Sequence, residues 1–89
     1  MSEEFNDVKA LIIDKAQTVF ARYGFRKTTM DEIAHAAHKG KSTLYHYFQS
    51  KEDIFRAVIE KEVKELKEEI RQAIAMEASP REKLRAYIL

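Results

Sequence analysis

Apolar residues recur at three- and four-residue steps in separate runs along this chain, and the breaks between runs carry residues that stop and start helices. Phe5, Val8, Ile12, Ala16, Val19, Phe20 and Tyr23 form the first stripe, which predicts a helix from near Glu4 to Tyr23. Gly24 follows in the position a left-handed C-cap wants, and Phe25 is placed to fold back onto the last turn. Thr28 and Thr29 then precede Asp31 and Glu32. Thr29 with Glu32 matches a capping box, and Thr28 with Asp31 is a weaker version of it. Ile33, Ala34 and Ala37 give the short helix that follows an inward face, with alanines small enough for another helix to cross closely. His38-Lys39-Gly40 makes a tight break before a further short helix, Lys41 to about Phe48. Two short helices joined by three residues including a glycine form a helix-turn-helix pattern.

A much longer helix is expected from Lys51 to about Met76, with Ser50 as cap and Asp53 completing a box-like pair. Its stripe is Phe55, Ile59, Val63, Leu66, Ile70 and Ala73 or Ile74, widened in the first half by Ile54 and Val58. The front of this helix therefore has the apolar width to pack on the first three helices, whereas the back has only a narrow seam. Ala78-Ser79-Pro80 ends it and starts another helix: Ser79 as cap, Pro80 at the first helical position, Glu82 closing the box. Leu84, Tyr87, Ile88 and Leu89 open a new apolar face there, which reads as the front of a longer protein. The fold class is all-α: a three-helix bundle with a helix-turn-helix, a long fourth helix and the start of a fifth.

Composition narrows this little further. The 89 residues allow one small domain, and without cysteine neither a disulfide framework nor a thiolate metal site can form. The longest apolar runs are too short to span a membrane, and Glu3, Glu4 and Asp7 stand where a signal peptide needs basic residues, so a cytoplasmic location is expected. Charge changes the picture more, through its distribution rather than its sum of +1. From Arg22 to Lys51 the cations are Arg22, Arg26, Lys27, Lys39, Lys41 and Lys51, opposed only by Asp31 and Glu32, while the long helix is mildly acidic. A basic middle of this kind points to one face meeting nucleic acid.

Lys41 to Phe48, KSTLYHYF, is the densest part of that middle. Leu44 and Phe48 stand four apart and share one face of a helix, able to dock inward. Lys41, Ser42, Thr43, Tyr45, His46 and Tyr47 can all donate or share a hydrogen bond, and no carboxylate interrupts them. An apolar anchor face beneath cations, hydroxyls and rings suits the major groove of duplex DNA. The backbone N–H groups at the threonine pair suit a phosphate oxygen. Catalysis is not expected: no nucleophile, base and orienting acid converge at a recognisable spacing, and there is no glycine-rich phosphate loop. His35 and His38 stand three apart, but no Cys, Asp or Glu is placed to complete a metal site with them, so neither a metal nor a cofactor is expected.

In the order and spacing of these features the chain resembles the N-terminal domain of the TetR family of bacterial transcriptional repressors. The resemblance runs from about Ile12 to Val58 and is densest in TTMDEIAHAAHKGKSTLYHYFQSKEDIF. It rests on the Gly before a Thr pair, the Ile-Ala step and closing Ala of the second helix, the Leu-Tyr-x-Tyr-Phe run and the Ser-Lys-Glu-Asp start of the fourth helix.

The resemblance implies a helix-turn-helix domain over residues 1–50, completed by about 51–60, and beyond it, over 61–89, a connecting helix and the beginning of a ligand-binding and dimerising domain. It implies that Lys41, Ser42 and Thr43 face base edges. Tyr45, His46 and Tyr47 would then lie along phosphates, with Thr28 and Thr29 touching phosphate from the second helix and Lys51 from the fourth. It further implies a homodimer on palindromic double-stranded DNA, released by a small-molecule inducer. The departure lies in the turn, where the family has Gly-Val and then Ser or Thr. The family glycine takes a backbone conformation that His38 adopts less readily, though His is among the residues enriched there. Lys39 cannot plug the core as valine does, so it is expected to turn outward as an extra phosphate contact, leaving a looser turn. The other class of function is a helical protein–protein adaptor that uses the apolar seam of the long helix.

Overall fold

The computed structural model describes residues 2–76, with side chains from residue 5. The described elements are four helices: α1 (Ser2–Tyr23), α2 (Met30–Ala36), α3 (Lys41–Tyr47) and α4 (Lys51–Ala75). The helix expected to start at Ser79 falls outside the described residues. The chain divides into two units, Met1–Ile59 and Glu60–Leu89.

The ends of the helices follow the local code closely. Gly24 closes α1 at φ 86°, and its N–H donates to Phe20 O at 2.8 Å. A Cβ there would meet nothing within 4 Å, so the left-handed backbone alone is what calls for glycine. Phe25 does fold back, its ring centroid 5.6 Å from that of Phe20. Thr29 is the N-cap of α2 with a complete capping box: Glu32 N–H donates to Thr29 Oγ1 at 3.2 Å, and Thr29 N–H donates to Glu32 Oε1 at 3.0 Å. At α4 the Asp53 N–H donates to Ser50 Oγ at 3.2 Å.

The turn between α2 and α3 is tighter than the sequence suggested. Ala37 is the C-cap and His38 takes φ 55°. His38 N–H donates to His35 O at 3.1 Å, and Lys39 N–H to Ala34 O at 2.9 Å. These two bonds together make a Schellman motif. The expected loosening does not occur, because closure uses main-chain groups that a lysine supplies as well as a valine does. The strain falls on His38 instead, since a left-handed residue with a Cβ costs about 1–2 kcal/mol. Replacing it by glycine trades that strain for unfolded-state entropy of about 0.5–1 kcal/mol. His38→Gly is therefore expected to stabilise the domain by about 0.5 kcal/mol, a thermal midpoint rise of about 2–4 °C in a melt followed by circular dichroism. An unchanged or lower midpoint would show that the histidine side chain contributes more than its backbone costs.

The core of the first unit joins all four helices. Ile12, Ala16 and Phe20 of α1 meet Met30, Ile33 and Ala34 of α2, together with Ala37, Leu44, Phe48, Ile54 and Val58. Ile12, Ile33, Leu44 and Ile54 are fully buried, each a gain of about 1.5–3 kcal/mol over exposure. The rings of Phe20, Phe25 and Phe55 pack on one another across α1, the following loop and α4, with Phe25 and Phe55 centroids 4.9 Å apart. In α4 the residues turned inward are Ile54 and Val58, while Phe55 is half-buried and Ile59 exposed. The positions that seemed only to widen the stripe are thus its buried centre. In the second unit Val63, Leu66, Ile70 and Ile74 are exposed, and Lys61 pairs with Glu65 at 3.4 Å.

Candidate nucleic-acid interface

α3 has two faces of opposite character. Leu44 and Phe48 are 0% and 6% exposed, tucked beneath the helix in the core. Lys41, Ser42, Tyr45 and His46 are exposed, and Thr43 is half-buried. A helix this short is not stable alone. Its position is fixed by the two anchors, by the Schellman turn before it and by Phe48 after it, where the chain turns extended at φ −138°. Gly40 caps its start without a side-chain hydrogen bond.

The rings divide between packing and solvent. Tyr45 is exposed, whereas Tyr47 is half-buried against Phe5 of α1, with ring centroids 4.6 Å apart. His46 stands edge-on to Tyr47 at 5.2 Å and to Phe5 at 6.3 Å. The first turns of α1 therefore buttress the outer edge of α3, a contact between residues too far apart in sequence for periodicity to reveal.

The two threonines differ sharply. Thr29 is exposed at the start of α2, but its hydroxyl already donates to Glu32 Oε1 at 3.0 Å within the capping box. Thr28 is 1% exposed, and its hydroxyl donates to Gly24 O at 2.7 Å. Its N–H is also engaged, with Phe25 O at 3.3 Å. Thr28 is thus turned into the fold, whereas Thr29 stands at the surface, where the resemblance places a phosphate. Sequence held a signal for this, because Thr28 precedes the N-cap, where a residue packs inward against the first turn of the helix. The capping box likewise uses two of the four N–H groups that lack an acceptor within α2, leaving those of Met30 and Asp31.

The cations are also unequal. Lys39 is half-buried and Lys41 exposed, with Lys41 Nζ 3.5 Å from Asp31 Oδ1. That pair links the start of α3 to the first turn of α2. Both partners are more than half exposed, so it contributes under about 1 kcal/mol and is readily exchanged for another anion. Lys51 is bound differently: its ammonium donates to Phe25 O at 2.8 Å and to Arg26 O at 3.4 Å. It also lies 4.2 Å from the centre of the Phe25 ring.

A cleft of about 420 Å³ is walled by α1 and α2 residues, among them Tyr23, Asp31, Glu32 and His35. Its two carboxylates are held by Lys41 and by the capping box, so they are not poised as an acid–base pair. Among the described residues no group of three or more His, Asp or Glu side chains could hold a metal ion, and no helix is long and apolar enough to cross a membrane.

Residues 12–58 match the family described as bacterial regulatory proteins, tetR family. The HTH-type transcriptional activator FasR of Mycolicibacterium smegmatis is 37% identical over 73 residues, which are 82% of this chain and 33% of FasR. The negative transcriptional regulator of the biofilm operon icaADBC, IcaR of Staphylococcus epidermidis, is 38% identical over 53 residues, 60% of this chain and 29% of IcaR. A crystal structure of a TetR-family transcriptional regulator from Pectobacterium atrosepticum superposes with a TM-score of 0.85 at 26% identity, covering 97% of this chain and 45% of that one. The chain thus spans less than half the length of each of these proteins.

Proposed function

The chain belongs to the tetR family of bacterial regulatory proteins, and from that premise we propose that it is the DNA-reading head of a transcriptional regulator. One observation carries this: α3 buries Leu44 and Phe48 and leaves Lys41, Ser42, Tyr45 and His46 outside, on a helix fixed at both ends. Such a helix enters the major groove with side chains from its first turn toward base edges. Lys41, Ser42 and Thr43 read sequence. Thr29, Lys39, Tyr45 and His46 lie along phosphates, with Tyr47 at the edge where Phe5 supports it. Lys41 must exchange Asp31 for DNA when it does so.

The whole protein acts as a homodimer in the cytoplasm. Two α3 helices about 34–36 Å apart along the duplex then call for a palindromic operator. The exposed seam of Val63, Leu66, Ile70 and Ile74 supports a domain division after about residue 60, with a ligand-binding and dimerising part continuing from α4. A small-molecule inducer there changes the spacing of the two heads and releases the operator. Repression is the simplest outcome of such occupancy, since a bound dimer excludes polymerase. The name of IcaR as a negative regulator supports it, whereas FasR is named an activator.

Binding to a generic duplex, titrated with salt, tests the reading. If each head neutralises about three phosphates, affinity falls about 40-fold between about 50 and 200 mM salt. Absence of binding at the lower salt would favour the adaptor reading, in which the α4 seam is the working surface.

A further inference from the structure

We propose that Lys51 is a positioning residue for the DNA-binding surface: it latches the loop between α1 and α2 and so sets where the first turn of α2 stands. This rests on the DNA-binding reading above. The family resemblance pointed instead to a phosphate contact from this lysine.

The latch is built around one acceptor. Phe25 O receives the Lys51 ammonium at 2.8 Å and the Thr28 N–H at 3.3 Å. Both donors converge on this one oxygen, so it ties the first turn of α4 and the residue before the α2 cap to the same point. Thr28 in turn holds Gly24 O through its hydroxyl at 2.7 Å, so the loop from Gly24 to Thr28 is closed on both sides. Arg26 O at 3.4 Å and the face of the Phe25 ring at 4.2 Å complete the surroundings of the ammonium. One turn further along α4, Phe55 packs on the same ring, at 4.9 Å between centroids. The first two turns of α4 thus grip Phe25 through both its carbonyl and its side chain.

Thr29, the next residue after Thr28, carries the capping box of α2. The chain of contacts runs from Lys51 to Phe25 O, to Thr28 and to the N-cap, all within the first unit. A lysine in the first turn of a helix also opposes the helix dipole. Folding the ammonium back onto two carbonyls beyond the end of α1 places it where lone pairs are available instead.

The test uses Lys51→Met, which keeps the aliphatic stem, in the 89-residue chain. Hydrogen exchange of the Thr28 and Thr29 amides, measured without DNA, is expected to speed up about tenfold while the amides of the middle of α1 keep their rates. Affinity for a generic duplex is expected to fall about tenfold with the salt slope unchanged, because register is lost rather than a phosphate contact. Unchanged exchange at both threonines overturns the latch, and so does faster exchange with unchanged affinity. A salt slope lower by about one unit overturns it too, since that marks a lost phosphate contact. If the unaltered chain fails to bind duplex DNA, the functional reading falls, and the exchange rates still decide whether the latch exists.

Discussion

Leu44→Ala is expected to cost about 2–5 kcal/mol and leave the first unit largely unfolded at growth temperature. Leu44 is fully buried, on a helix of seven residues that has no independent stability. The buried cluster it belongs to draws on all four helices, so the cavity left is not closed by moving one element. A domain of this size has a total stability on the order of 5 kcal/mol. The loss therefore consumes most of what holds it folded. A circular-dichroism melt reads the effect directly, as a midpoint lowered by more than about 10 °C. A shift of only a few degrees would mean that α3 is not anchored through this residue, and the separation of its two faces would fail with it.

Lys41→Ala is expected to do the reverse: duplex binding weakened about ten- to a hundredfold, with the melt nearly unchanged. Lys41 is exposed, and its pair with Asp31 contributes under about 1 kcal/mol to the fold. In the proposed complex the same ammonium reaches a base edge, and losing such a contact costs about 1–3 kcal/mol of discrimination. The measurement is a fluorescence-anisotropy titration on sequences selected by the full-length protein, set beside a thermal melt of the same variant. Binding and melting lost in equal proportion would make Lys41 a structural residue. Loss that is uniform across all sequences would demote it to a phosphate contact.

Much of the fold was legible because helix ends are written locally. A capping box needs only Thr29 and Glu32 three residues apart, and a left-handed stop needs only Gly24. The buried pair Leu44 and Phe48 follows from four-residue spacing alone. What escaped depended on the main chain or on distance. The Schellman closure at His38 and Lys39 is made by N–H groups that almost every residue has, so side-chain identity could not reveal it. The Lys51 contact spans 26 residues, and a stripe of apolar positions says nothing about where an ammonium goes. Thr28 and Thr29 are chemically the same. Only their phase against the α2 cap separates a hydroxyl turned inward from one at the surface.

The carboxylate of Asp31 stands 3.5 Å from the Lys41 ammonium, and in the proposed complex the two would have to part. Both groups are exposed and the pair is weak, so a phosphate of any sequence could take the place of the acid. Asp31 would then act as a small, even brake, taxing loose and committed complexes alike rather than choosing between them.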